Sequence, residues 1–535
     1  MSQAQAVKES GTITLQEPSV DHSRNGHDLD LDHDEDTETG GLEVASKPHA
    51  DFLATFTPEE EKKIMRKVDM RIVTIIGFMS MVRAIDANNA AAVKVLQVGE
   101  PRNILKQLHM TSNEYNWVQT VFFIAYVVFE APSNLLLKVM KPRLFQVRIA
   151  FLWGGVLACH AAVKNKQGLY AARFFLGVME AGLFPGIITH LTSWYRTEEL
   201  GRPLVILFAL QNASGIVGSL LCFAISYMNG IGGLSAWQWV FLLEGLGTMA
   251  LAGVVWLVLP DYPKSKRTGK WLTLREQEFV EARLSENAPK TNDPAFSLQE
   301  TITSLKDIRV WSFLVSQLCI AFGGLAIQWY LPTITTSLGF AKLPRNQLLN
   351  IPPPVLSVMG SVSAYFFMER AIVVRPAICL TIILGQIVSF ILLLSLTNRI
   401  GIYIALIFGY GFYFMFFIPF WAWRSSTLRG STGTAFSLAL QSGIAQLGGI
   451  VSPQIFQSRY AHNRYKVPFG VCAGIVCLGF VANSFSWYLT RNVEYDVRRI
   501  HRLKLKAKKE GKLYVQDDIK VFEERQFYKK GSGRN

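Results

Sequence analysis

Uncharged apolar runs such as Ile149 to Val163 and Ala377 to Leu396 constrain this chain more than any other feature. A buried soluble helix seldom needs so long a run, whereas a bilayer needs about 20 apolar residues per helix. Composition agrees. Of 535 residues 50% are hydrophobic and 18% charged, and mean hydropathy is +0.23. Soluble domains carry about 25% charged residues. The expectation is an all-α membrane protein.

The apolar runs predict six spans at 70–92, 116–138, 145–163, 169–190, 203–227 and 237–259. Six more are predicted at 308–332, 348–368, 373–396, 400–422, 432–455 and 467–489. Five segments follow: an acidic disordered tail (1–56), a six-helix half (57–260), a polar central loop (261–306), a second half (307–490) and a basic tail (491–535). Thr57, Pro58 and Glu60 predict the start of a short amphipathic helix, and Thr273 with Glu276 predicts another capping box.

Net charge is +14, yet residues 1–60 hold 14 acidic and 3 basic side chains. The basic excess therefore lies elsewhere, beside the spans, which fits cytoplasmic loops and not nucleic acid. Lys138, Lys141, Arg143 and Arg148, Arg196 and Arg202, Arg370 and Arg375, and Arg424 and Arg429 all fall on one side. Arg459, Arg464 and Lys466 run against the pattern. The bias places both termini in the cytoplasm, and the plasma membrane is the expected location.

Other chemistries find no support. Cys159, Cys222, Cys319, Cys379, Cys472 and Cys477 lie in apolar spans without metal or disulfide spacing, and read as small buried hydrophobes. Residues 1–50 lack a basic start and apolar core, so no cleavable signal peptide is expected. Asn212-Ala213-Ser214 lies within a span, out of reach of glycosylation. No P-loop, His-Glu-x-x-His or Gly-x-Ser-x-Gly sequence is present. The chain is expected to be no enzyme, to need no cofactor or metal, and to run on a gradient.

Two six-span halves suggest an internal repeat, with the loop Lys141 to Arg148 answered by Glu369 to Arg375. Repeated halves enclosing a midplane site are a common transporter plan.

The sequence resembles the major facilitator superfamily, and more closely the fungal anion:cation symporters of the allantoate permease group. The resemblance rests on Phe122-Phe123-Ile124-Ala125-Tyr126, Phe129-Glu130-Ala131-Pro132-Ser133-Asn134-Leu135-Leu136, and Arg173 through Gly186 with Ser193-Trp194-Tyr195. Leu259-Pro260-Asp261-Tyr262-Pro263, Leu331-Pro332-Thr333-Ile334 and Leu447 through Pro453 extend it over nearly all of 60–490. It implies a major-facilitator fold of about twelve spans and proton-coupled uptake of a small organic anion, such as a vitamin or ureide. Two readings compete: a proton-driven exporter of a secondary metabolite, and a receptor that keeps the fold without transport. Span five, Ser214-Gly215-Ile216-Val217-Gly218-Ser219, lacks the Gly-Pro pair typical of drug exporters in the superfamily, which favours symport. Where the family usually reads Asp-Arg-x-Asn, this chain has Asp86-Ala87-Asn88-Asn89, so the role of span one stays open. Trp421, Trp423, Arg424 and Gly430 are also less typical.

An ionisable group within a span faces a partner or a wet cavity. Arg173 and Glu180 lie seven residues apart, two turns along one face of span four, with Gly177 and Gly182 admitting a neighbouring helix. Arg173 is the candidate for a substrate carboxylate, and it matches the superfamily's span-four Arg-x-x-x-Gly. Glu180 and Asp86 are candidates for the coupling proton. Gln119, Tyr126, Gln211, Asn212, Gln328, Trp329 and Gln441 are candidates to line a polar cavity. Lys138, Lys141 and Arg143 fall at the superfamily's gating loop, and Glu244 reads as a structural partner for a basic residue. Trp421 and Trp423 read as interface anchors and Arg424 as a cytoplasmic charge. The expected partners are the bilayer and a small anion, with the monomer as the working unit.

Overall fold

Twelve long helices carry the chain, and no strand accompanies them among the described residues. The computed structural model describes residues 52–53, 55–196, 199–284, 298–340, 344–427 and 431–509. The acidic stretch before residue 52, the basic stretch beyond 509 and the side chain of Lys138 lie outside the described residues.

The first six are α1 (Thr74–Val95), α2 (Ser112–Val139), α3 (Pro142–Cys159), α4 (Lys166–Thr192), α5 (Gly201–Ser226) and α6 (Ala236–Val258). Then come α7 (Ile308–Ser337), α8 (Pro352–Glu369), α9 (Arg375–Ser395), α10 (Arg399–Ser425), α11 (Ser431–Ile455) and α12 (Lys466–Lys509). Local chemistry sets their starts. Thr111 with Glu114 and Ser235 with Gln238 form capping boxes for α2 and α6, and Asn165, Asp307 and Asn398 cap α4, α7 and α10. Pro142 and Pro376 occupy the first turns of α3 and α9, where no N–H is missed.

Nine of these helices among the described residues are long and apolar enough to cross a membrane: α3 to α10 and α12. The other three, α1, α2 and α11, have the length, at 22, 28 and 25 residues, and α1 carries Arg83, Asp86, Asn88 and Asn89. α1 packs on α5 and α7, and α2 on α4 and α11. A helix wrapped by protein need not be apolar all round. The outward faces are apolar: Phe151 of α3, Leu257 of α6 and Val481 of α12 stay 51%, 71% and 65% exposed, which suits a lipid surround. Cys159 and Cys477 are exposed too, contrary to the expectation of burial, whereas Cys222, Cys379 and Cys472 are buried.

Two expected boundaries shift. α4 breaks at Gly182, whose φ of +85° stops the helix before it resumes at Leu183. Gly182 is therefore a breaker and not a packing notch. Gly177 is the notch, since a Cβ there would lie 2.4 Å from the Phe122 carbonyl oxygen. α12 runs on to Lys509 because its last turns are held by protein: Arg498 and Arg502 donate to the Ala371 carbonyl, each at 3.1 Å.

The capping boxes predicted at Thr57 and Thr273 are both present and start the helices Pro58–Val68 and Leu274–Ala282. These two helices meet at one end of the bundle, the near end. Lys67 Nζ lies 2.7 Å from Glu276 Oε1, Arg283 pairs with Glu199, and Phe56 packs on Phe279 with ring centroids 4.5 Å apart. Partial burial pulls the Glu276 carboxyl up, but Lys67 and the Thr273 donors outweigh it and hold it below the usual carboxylate range. Ordered packing therefore begins before residue 57, ahead of the expected end of the acidic tail.

The repeat expected from the loops has a structural counterpart. Arg143, at the start of α3, lies 3.6 Å from Asp261 just after α6, and its backbone N–H donates to the same carboxylate. Arg375, at the start of α9, lies 2.5 Å from Glu494 in α12. Each six-helix set thus ties its third helix to its sixth. Lys141 beside Arg143 is exposed.

Candidate functional site

A cavity of about 140 Å³ lies among α1, α2, α4, α5, α7, α10 and α11. Gln119, Gln211, Gln328 and Trp329 line it, as their sequence positions suggested. Much of the remaining wall is aromatic: Phe122, Phe123, Phe184, Phe208, Phe417 and Trp421. Trp421 is thus no interface anchor, and neither is Trp423, which is fully buried and donates to Thr490.

Among the described lining residues, Arg83 is the sole charged side chain. It was not among the residues singled out from sequence. Its Nε lies 2.5 Å from Glu180 Oε1, and its guanidinium carbon sits 5.7 Å from the Tyr126 ring centroid. Arg83 precedes Ala87 by four residues, so the two share a helix face. Ala87, also on the cavity wall, stands where the resembled family has arginine. The cation is therefore present, one turn earlier. The signal was available: a lone arginine deep in an apolar span is as informative as one in span four.

Arg173 and Glu180 of α4 are both buried, at 1% and 2% exposed. The two differ in placement. Glu180 reaches the cavity wall through Arg83, whereas Arg173 is absent from that wall and packs with its guanidinium carbon 5.2 Å from the Phe241 ring centroid. Asp86, Glu180 and Glu244 are close enough to act on Arg173 electrostatically. Asp86, expected near the outer end of span one, is buried and accepts from Thr248 at 3.3 Å. Glu244 accepts from Asn89. A fourth carboxyl, Glu130 of α2, is 4% exposed, lies within reach of Ser442, and abuts Gly443 of α11, where a Cβ would be 2.7 Å from its Oε2.

Tyr126, Asn212 and Gln441 are buried but not on the cavity wall. Asn212 joins α5 to α8 by donating to Ser361 at 3.0 Å. Gln441 joins α11 to α7 through Gln317, at 2.6 Å, and accepts from Arg424 Nε at 2.9 Å. Arg424 is only 1% exposed, so it is no solvated loop charge. Across the cavity, Gln328 of α7 donates to Asn88 of α1 at 2.5 Å.

The end of the bundle remote from the Pro58–Val68 helix, the far end, is closed by contacts between the two six-helix sets. Gln454 donates to Thr120 at 2.8 Å, Thr120 to the Ile450 carbonyl at 2.9 Å, and Trp329 to Asn116 at 3.3 Å. At the near end a vestibule of about 710 Å³ separates them, lined by Asp69, Arg202, Tyr365, Arg375 and Ser426 among others.

A central cavity between two helix sets, closed at one end and flared at the other, is the plan common to secondary transporters. Comparison with known proteins agrees: residues 85–453 match the Major Facilitator Superfamily, and the chain belongs to that family. It is a multi-pass membrane transporter and not an enzyme. It is 29% identical to the MFS transporter prlL of Fungal sp. (strain NRRL 50135), over 84% of this chain and 89% of that one. It is 28% identical to an uncharacterized transporter of Schizosaccharomyces pombe (strain 972 / ATCC 24843), over 79% and 81%. It is 27% identical to the "Putative tartrate transporter" of Agrobacterium vitis, over 74% and 88%.

Proposed function

We propose that this transporter takes up a small organic carboxylate together with protons, in the manner of the fungal anion:cation symporters it resembles. The observation that carries the reading is Arg83, the charged group on the cavity wall, held 2.5 Å from Glu180. A guanidinium is the side chain best shaped to bind a carboxylate. A substrate anion and the Glu180 carboxylate compete for it, and protonation of Glu180 releases Arg83 to the substrate.

Charge balance supports proton coupling. Four buried carboxyls, Asp86, Glu130, Glu180 and Glu244, stand near two guanidiniums, the buried Arg173 and the half-buried Arg83. With every group ionised, two negative charges would lack a partner in a low-dielectric interior. Removing a partner from a buried charge costs about 3–5 kcal/mol, so protons on these carboxyls are the economical state. The resemblance to a protein named for tartrate, a dicarboxylate, points to the same substrate class. The aromatic wall adds room for an apolar body on that acid.

The basic loops gather at the near end, which we take as cytoplasmic in the plasma membrane, with both termini there. The central segment between α6 and α7 is then a cytoplasmic loop, and the structure faces inward. One chain encloses the whole cavity, so the monomer suffices.

Uptake of labelled tartrate and benzoate into proteoliposomes, at two external pH values, tests the reading. Accumulation driven by an inward proton gradient and lost in Arg83→Gln supports it. Accumulation indifferent to both refutes it.

A further inference from the structure

The second six-helix set holds a buried cation that the proposed mechanism has not used. Arg424 sits at the near end of α10 and is 1% exposed. Its Nε donates to Gln441 at 2.9 Å and its Nη1 to Thr427 at 3.0 Å, and Phe313 covers the guanidinium at 5.0 Å. Nη2 has no partner. No carboxylate lies within ion-pair distance of it among the described residues, whereas Arg83, Arg283 and Arg375 each hold one. The acidic group that acts on it from α7's cap, Asp307, is itself paired with Arg309 at 3.0 Å.

A guanidinium taken out of water without a counter-anion is unfavourable unless an anion visits it. Its surroundings show from where. Gln441 donates to Gln317 at 2.6 Å, and Gln317 and Trp421 line the central cavity. On the same helix, Ala422, Ser425 and Ser426 line the near-end vestibule. Arg424 therefore lies in the partition between the two spaces, with an unpaired N–H₂ and a pair of amides leading to the substrate cavity.

We infer that Arg424 is a second carboxylate contact, receiving the substrate anion as it passes from Arg83 toward the near-end vestibule. This rests on the carboxylate reading of the central cavity. The Gln441 and Gln317 amides are the movable cover: when Gln441 swings from Arg424, its place on the guanidinium is taken by the anion. Two cations placed in series let the anion move from one to the other without entering apolar surroundings uncompensated.

The test is ligand stabilisation of the purified full-length protein by tartrate, benzoate and the neutral analogue benzamide, in wild type, Arg424→Gln and Arg424→Lys. In wild type an acid is expected to bind at least tenfold tighter than benzamide. Arg424→Gln is expected to lose about three- to tenfold of that preference, and Arg424→Lys to keep most of it. A packing defect would weaken acid and amide alike, so equal weakening overturns the inference, as does an unchanged preference in Arg424→Gln. Wild type showing no preference for either acid would instead overturn the carboxylate reading itself, and the inference with it. If Arg424→Gln does not yield a monodisperse protein, Arg424→Met, which also removes the charge while keeping the length of the side chain, gives the same comparison, and an unchanged preference there is equally adverse.

Discussion

Arg83 on α1 and Glu180 on α4 meet at 2.5 Å, with Glu180 2% exposed and Arg83 facing the cavity. The cation available to substrate is thus already occupied by a carboxylate of the protein. Under the proposed function, binding is an exchange of one anion for another, and the proton decides which one wins.

Arg83→Gln should therefore abolish carboxylate uptake. A charge-assisted hydrogen bond is worth about 1.5–3 kcal/mol, or roughly 10- to 100-fold in affinity. Arg83→Lys keeps the charge but loses the fork, and should retain a measurable fraction of uptake. Initial-rate uptake at saturating and at low acid concentration separates the two. Equal loss in both variants would remove the guanidinium's special role.

The paired ties at α3 and α9 should differ in strength. Arg375 grips Glu494 at 2.5 Å, also donates to Ser426, and leaves the carboxylate 1% exposed, whereas Arg143 and Asp261 are 3.6 Å apart. Arg375→Ala strands a buried charge and should cost about 3–5 kcal/mol. Arg143→Ala should cost less than half of that. Thermal unfolding in detergent compares them, and an Arg143→Ala loss matching that of Arg375→Ala would show the ranking is wrong.

Close packing of α3 on α6 rests on Gly245, where a Cβ would lie 2.4 Å from the Ala158 nitrogen and 2.6 Å from the Gly154 oxygen. Gly245→Ala should destabilise by about 1–3 kcal/mol, since backbone cannot yield as a side chain can. Gly247, two residues on, has nothing within 4 Å. Gly247→Ala is the control and should leave the melting temperature unchanged or slightly raised.

Transport requires the far end to open. Thr120 of α2 and Gln454 of α11 hold it shut at 2.8 Å. Cysteines at both positions, bridged by a short bis-thiosulfonate, should stop transport, and reduction should restore it. Because Cys159 and Cys477 are exposed, wild type treated alike is the reference. Continued turnover in the bridged protein would mean the seam need not part.

The helices were legible because hydrocarbon demands long apolar runs, and the two predicted capping boxes because three residues decide them. Arg173 and Glu180 drew attention by their spacing on α4 and, for Arg173, by the motif it resembles. What periodicity does not carry is depth. Arg173 and Arg83 are both lone arginines in apolar helices, but which one reaches the cavity depends on how the helices pack, with α4 set tightly against α2 at Gly177. Arg424 looked like a loop charge because it ends an apolar run beside Ser425, yet its side chain turns back under Phe313 to Gln441. The extension of α12 was hidden by its basic composition, since its stabilising partners, the Ala371 and Ile372 carbonyls, are distant in sequence.

The central claim is that Glu180 alternates between Arg83 and a proton. Glu180→Gln fixes the protonated arrangement, so the measurement is tartrate or benzoate flux in proteoliposomes, scored both as gradient-driven accumulation and as exchange without a gradient. The expected result is that Glu180→Gln retains exchange but no longer accumulates the acid under an inward proton gradient. Accumulation at the wild-type level in Glu180→Gln, with the same dependence on pH, would contradict the account.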